Sequence, residues 1–269
     1  MKKARPVALI GSGKLTDSPV TRLLRLSSRL GPVLSPSYRV ASRLANSLRA
    51  GHPVKDYAEF DDCCLIVISV PDEKLAQTVA ELASAGINWR DKVVMVCSTW
   101  LGSCELGTLA ACGASVGSIS PIPGFEDSWY LVEGDHLAVR ETKRLLERDG
   151  RRLVTIERHR KPFYLASLTC TGSLAFAAIV AASEALRLAG VTQVEAAELM
   201  EKQCQKSLRS YLKAGRKGFL GIRELSKQLG ALTAADPELA HYLEHSSRLA
   251  VQLVANGKPK LSFLTAQRG

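Results

Sequence analysis

The sequence predicts an α/β protein: an N-terminal doubly wound sheet over residues 1–157, then an all-helical domain of the dimerising kind over residues 158–269. Three observations predict it. Short apolar runs alternate with helical patterns through the first 125 residues, an alternation that implies parallel strands joined by right-handed crossovers. From Tyr164 onward no strand-like run appears and long helical patterns take over. At 269 residues the chain also exceeds what one hydrophobic core usually serves.

Each element has a local cause. Pro6 to Ile10 is a short apolar run stopped by Gly11, as a buried parallel strand is. Asp17-Ser18-Pro19 reads as an N-cap followed by proline in the first turn. Leu23, Leu24, Leu26 and Leu30 then line the buried face of a helix ending near Gly31. Pro32 to Ser35 is a second strand and Arg39 to Leu48 a helix, closed by the turn Ala50-Gly51-His52-Pro53. Leu65 to Val70 is the clearest strand, a mostly β-branched run closed by Pro71-Asp72. A helix over Glu73 to Ala85, a strand over Val93 to Cys97, a helix near Cys104 to Cys112 and a strand over Ser115 to Ile119 follow. In the second half, helices are expected over Tyr164 to Ala189 and Gln193 to Ala214, separated by the stop-and-start signal Gly190-Val191-Thr192. A third begins near Gly221 and ends before Ala234, and Asp236-Pro237 opens a fourth that closes at Asn256-Gly257. The tail from Lys258 is expected to be loosely held.

Composition narrows the function classes. Hydrophobic residues make up 46% and charged residues 23%, ordinary for a globular protein in water. Val7 to Ile10 is too short for a signal-peptide core, and no stretch approaches the run of about 18 apolar residues that spans a bilayer; Leu174 to Ala182 ends at Ser183-Glu184. A cytoplasmic location without membrane is expected. The seven cysteines form no CxxC pair and are odd in number, so they are read as reduced thiols, mostly small core residues. His241 and His245 share a helix face, but no third ligand is evident and no metal is expected. The net charge of +10 raises nucleic acid as a partner. The basic clusters at 140–152, 158–161 and 209–217 lack interleaved aromatics, so an anionic cofactor is the preferred explanation.

Four constellations can carry chemistry. Gly11-Ser12-Gly13-Lys14-Leu15 stands between a strand and a helix. There Gly11 permits the tight turn and Gly13 lets backbone N–H groups approach a pyrophosphate, the fingerprint of a Rossmann domain. At the end of the second strand, Ser35-Pro36-Ser37-Tyr38-Arg39 offers hydroxyls and a guanidinium where an NAD site wants an acid. That set suits a 2′-phosphate and so NADP(H), with Ser35, Ser37 and Arg39 as its ligands; the plainer reading is a helix N-cap and a surface arginine. Val70-Pro71 and Ser98-Thr99 follow strands, where they can line the ribose and nicotinamide or simply cap helices. At the domain junction, Ser120-Pro121-Ile122-Pro123-Gly124-Phe125 is expected to form a rigid cleft wall, with Lys161, Tyr164, Thr169, Thr171 and Ser173 clustered beyond it. Of these, Lys161, Thr171 and Ser173 are the candidates to face a substrate, Lys161 being read as a lone exposed lysine.

The strings GSGKLT, LIVISVPDEKLAQTVAEL, CSTWLG, GSISPIPGF and KPFYLASLTCTGSLAFAAIVAASEAL occur in the order of a known group. The chain resembles Rossmann-like proteins with an uncharacterised C-terminal helical domain. These are relatives of pyrroline-5-carboxylate reductase, deazaflavin-dependent NADP reductases and the 6-phosphogluconate dehydrogenase group. GFLGIRELSKQLGALTAADPELAHYLEHSSRLAVQL extends the likeness nearly to the C-terminus. The resemblance implies an NADP-dependent oxidoreductase acting on a small metabolite in a cleft facing the helical domain, and a homodimer formed through that domain. It also implies a histidine and an asparagine where Leu165 and Ser173 stand, and a glycine–proline and arginine–glycine–aspartate stretch where Gly218 to Glu224 stand. There is no Lys-x-x-x-Asn pair. These departures leave a second reading open, an NADP(H)-binding sensor or scaffold without turnover.

Overall fold

The computed structural model describes residues 6–11, 29–147 and 150–255. They fall into two compact units, Met1–Ala166 and Ser167–Gly269.

In the first unit the order is β1 (Val7–Gly11), β2 (Leu30–Leu34), α1 (Tyr38–Leu48), β3 (His52–Pro53), a 3-10 turn (Tyr57–Phe60), β4 (Leu65–Ser69), α2 (Asp72–Ala83) and β5 (Val93–Cys97). A 3-10 turn (Ser103–Leu106) then leads into α3 (Gly107–Ala111), followed by β6 (Ser115–Pro121), β7 (Trp129–Gly134), α4 (His136–Glu147) and β8 (Arg152–Thr155). These eight strands form one sheet in the order β3-β2-β1-β4-β5-β6-β7-β8. β1 is parallel to both β2 and β4, so the chain reverses its direction of winding between them and leaves a crevice at their carboxyl ends. The doubly wound α/β class is as the sequence predicts.

Alternation of side chains sends the strands' apolar residues to both faces. Val7, Leu9, Val67 and Met95 pack with Leu44 and Leu48 of α1 and Leu145 and Leu146 of α4. Ala8, Ile10, Ile68 and Val96 pack with Leu75, Val79 and Leu82 of α2 and Leu109 of α3. Continuous apolar runs are what a two-sided core demands.

Several elements differ from expectation. Leu30 and Gly31 belong to β2 and not to a helix. A Cβ at Gly31 would lie 2.8 Å from the Pro6 Cβ, so glycine there serves close approach of the two strands. The predicted helix over Asp17 to Ser28 lies outside the described residues. Cys104 to Cys112 starts as a 3-10 turn, and β6 runs two residues beyond Ile119. The expected cleft wall Ser120 to Phe125 is a strand end and hairpin loop: Ile122 N–H bonds the Trp129 carbonyl at 3.0 Å, leading into antiparallel β7. β3, β7, α4 and β8 were not foreseen.

α5 (Lys161–Thr169) begins in the first unit and continues through a π-turn (Cys170–Leu174) into α6 (Ala175–Leu188). The Thr171 hydroxyl donates to the Ser167 carbonyl at 2.9 Å in the turn preceding Gly172, a local competition for backbone acceptors that accompanies the wider turn. α7 (Gln193–Ala214), a 3-10 turn (Gly215–Gly218), α8 (Leu225–Ala235) and α9 (Pro237–Ala255) complete the second unit. The stop-and-start signal is realised as Gly190 at φ 81° and a capping box between Thr192 and Glu195.

Two sequence expectations fail here. Lys161–Leu188 is a 28-residue helix with a mean hydropathy of 1.8 over 18 residues, long and apolar enough to cross a membrane by length and composition. The run from Leu174 to Ala182 is bounded by Gly172-Ser173 and Ser183-Glu184, and none of these residues interrupts the helix. Likewise the cysteines are not mostly core: Cys63 and Cys97 are buried, whereas Cys104, Cys112, Cys170 and Cys204 are exposed. All seven are free thiols. Among the described residues of the second unit, those buried are Ala196, Leu239, Ala240 and Ser247.

Candidate functional site

The crevice at the switch point is bounded by Gly11 at the end of β1 and Ser69 at the end of β4, which are register partners. The Ser35 hydroxyl donates to the Gly11 carbonyl and ties the end of β2 to that of β1. Ser12, Gly13, Lys14 and Leu15, predicted to hold a pyrophosphate, lie outside the described residues.

At the end of β2, Ser37 is the N-cap of α1, extended at φ −140°, and its side chain accepts the Val40 N–H at 3.3 Å. Arg39 follows as the second helical residue and is exposed. The first turn of α1 holds no acidic residue. The first N–H groups of a helix have no partner within it and carry the positive end of its dipole. The capping role foreseen as the plainer reading is therefore real, and it builds a positive helix terminus beside a guanidinium. Lys55, which sequence reasoning missed, joins this end: its Nζ stands 5.7 Å from the centre of the Tyr38 ring. No local signal marked it, because the short edge strand β3 carries it there.

Val70 is half-buried against the core below, and Pro71 N-caps α2 without a side-chain bond. The Ser98 hydroxyl donates to the Asp72 carboxylate at 2.9 Å and accepts the N–H groups of Trp100 and Leu101. It thus closes the turn after β5 and fastens it to the start of α2. Thr99 is half-buried beside it.

Lys161 departs from expectation. It is 2% exposed, not a solvated surface lysine, and its Nζ donates to the carbonyls of Ser98 and Leu101, both at 2.6 Å. Burial lowers its pKa to about 8, against the raising effect of the Glu133 carboxylate. Glu133, on β7, is fully buried. Burial pushes its carboxyl up, but bonds from the Ser103 N–H, the hydroxyls of Ser118 and Ser103 and the His159 N–H outweigh that and hold it below the usual range. This polar cluster was not foreseen. Thr171 and Ser173 are exposed in the π-turn of the second unit.

In the helical unit the His241 and His245 rings lie 4.1 Å apart, and His245 Nδ1 is 3.1 Å from the His241 carbonyl. Among the described residues no group of three metal-ligating side chains occurs. Two apolar grooves flank α6, of about 620 and 550 Å³, and Ala178, Ala182 and Ala185 border both.

No family model matches the chain, and no curated protein matches it. Solved structures do. A variant of the imine reductase from Myxococcus stipitatus, in complex with NAD+, superposes with a TM-score of 0.68 at 14% identity, covering 95% of each chain. An imine reductase from Aspergillus terreus, in complex with NADPH4 and a dibenzazepine, gives 0.64 at 16% identity over 95% of each chain. A pyrroline-5-carboxylate reductase from Coxiella burnetii gives 0.52 at 13% identity, covering 96% of this chain and all of that one (100%). At these identities the likeness is one of fold, and it is the fold the sequence motifs resemble.

Proposed function

We propose that the chain is an NADP(H)-dependent oxidoreductase of a small metabolite, working in the cytoplasm as a soluble homodimer. The observation that carries the cofactor reading is the end of β2. Hydroxyls, a helix N-terminus, Arg39 and Lys55 gather there, and no acid stands in the first turn. A ribose diol wants a carboxylate at this place; a 2′-phosphate wants this donor set. Ser37 and Arg39 would hold that phosphate, with Ser35, whose hydroxyl proton goes to the Gly11 carbonyl, tying β2 to β1 beside it. Gly11 to Leu15 would hold the pyrophosphate, and Val70, Pro71, Ser98 and Thr99 the other nucleotide. When bound, the cofactor supplies a hydride; this chain's part is orientation and exclusion of water. Neighbours of the same fold named imine reductase, with NAD+ or NADPH4 bound, are consistent with it.

Lys161's engagement with backbone carbonyls favours a second reading, an NADP(H)-binding module without turnover, because it leaves Thr171 and Ser173 as the remaining named substrate-facing groups. Neither hydroxyl is a strong acid. A substrate screen with bound NADPH separates the two readings.

The homodimer is supported by the helical unit's shortage of core. Leu174, Phe176, Val180, Val194 and Leu208 are all more than half exposed, and among the described residues of the unit four of modest size are buried. A unit of this kind needs a covering surface, and a second copy supplies one of matching character.

Calorimetric titration with NADPH and NADH tests the cofactor reading. The wild type is expected to prefer NADPH. Arg39→Ala is expected to lose about tenfold in NADPH affinity and little in NADH affinity, the worth of a charge-assisted phosphate contact. Absence of binding to either nucleotide would sink the oxidoreductase reading.

A further inference from the structure

The turn after β5 is built around a buried cation. Ser98 Oγ accepts the N–H groups of Trp100 at 3.1 Å and Leu101 at 3.0 Å from one side. The carbonyls of Ser98 and Leu101 converge on the other side, and both accept from Lys161 Nζ. Two carbonyl oxygens aimed at one buried point demand a group with several donors, and an ammonium has three. The third faces Ser118 Oγ at 3.5 Å. That hydroxyl donates to the Glu133 carboxylate at 2.7 Å. Glu133 in turn takes the Ser103 N–H at 2.6 Å and its hydroxyl at 2.8 Å. Between the two held ends sits Gly102, where a Cβ would come within 3.3 Å of Glu133 Oε1. The charged or titratable groups that act on Lys161 are Glu133 on β7, Cys97 on β5, Asp72 on α2 and Cys104 in the 3-10 turn. The 98–103 segment is thus gripped at its start by Lys161 and at its end by Glu133.

The place of that segment gives the grip a purpose. If the 2′-phosphate is read at β2 and the pyrophosphate at β1, the second nucleotide extends past β4 toward β5, two strand spacings or about 10 Å further along the sheet edge. The turn at 98–101 stands there. We propose that Lys161, backed through Ser118 by Glu133, is a positioning residue that fixes this turn for the nicotinamide half of NADP(H). The inference rests on the cofactor reading above. Lys161 touches neither cofactor nor substrate in this role; it acts through the backbone of Ser98 and Leu101.

Two ligands separate this role from general stability. NADPH carries the nicotinamide half, and 2′,5′-ADP carries only the phosphate and adenosine half. Lys161→Met is expected to weaken NADPH about tenfold while 2′,5′-ADP stays within about twofold, because two buried carbonyls lose their donor and the turn shifts. Lys161→Arg, which keeps a charged multi-donor head, is expected to restore most of the NADPH affinity. Should Lys161→Met not fold, Lys161→Gln, with two N–H donors on a shorter arm, is held to the same criterion. Unchanged NADPH affinity in a folded variant overturns the inference and leaves the cofactor reading standing. Equal weakening of both ligands also overturns it, since that marks damage to the whole sheet edge. A wild type that binds neither ligand overturns the cofactor reading and this inference with it.

Discussion

A buried lysine is a cost that has to be explained. Its folded pKa of about 8 lies below the 10.5 of a free lysine, so between those values the unfolded chain holds a proton that the folded chain has released. Stability contributed by this residue therefore rises with pH across that window, and below pH 8 the full burial penalty is present. A shift of this size corresponds to on the order of 3 kcal/mol. The measurement is denaturant stability of wild type and Lys161→Met from pH 7 to about 10.5, taken as a difference so that shared titrations such as the raised thiol of Cys63 largely cancel. The wild type should gain on the variant as pH rises; a flat difference would mean the ammonium is not desolvated. Nothing local in the sequence announced this. The acceptors of Lys161 lie 63 and 60 residues away and are backbone carbonyls, which no side-chain pattern records. Ser37 and Arg39 were legible because helix capping is a local grammar, whereas Lys55 reaches its place through a strand of two residues.

At the scale of elements, what was legible is what carries its own period. β4 and β5 are unbroken apolar runs, and α7 is bracketed by Gly190 and a capping box, so its bounds match the sequence reading. β7 was illegible because Trp129–Gly134 buries a glutamate as its penultimate residue, and only the donors from Ser103, Ser118 and His159 make that burial tolerable. The β6–β7 pairing also depends on glycine. Gly134 sits at φ 138°, and a Cβ there would meet the Gly117 Cα at 2.4 Å. Gly134→Ala is accordingly expected to cost about 2–4 kcal/mol, through strain at a positive φ and a backbone clash that no rotamer relieves. Thermal melts followed by near-ultraviolet dichroism give the test. A loss under about 0.5 kcal/mol would show that β6 and β7 separate without penalty.

For the molecule as a whole, the sequence announced two domains of different character but not how unequal their cores would be. The sheet unit buries apolar residues on both faces, while among the described residues of the helical unit four are buried. α6 forms the end of the Lys161–Leu188 helix that is long and apolar enough to match a membrane span. Periodicity reports which face of a helix is apolar; it does not report whether the covering surface belongs to the same chain. If a second copy covers α6, folding of the helical unit and association are one equilibrium, and its melting point must rise with protein concentration. A hundredfold increase in concentration adds about 2.7 kcal/mol per dimer by mass action, enough to move a melt by several degrees. Sedimentation without detergent should give a dimer of a 29.1 kDa chain. Ala182→Glu, at a residue bordering both grooves, should give a monomer whose helical unit melts early while the sheet unit keeps its melt. A wild type that stays monomeric with a concentration-independent melt would refute the dimer. One that needs detergent to remain in solution would show that α6 meets lipid instead, because an apolar helix with no protein cover must be buried in something.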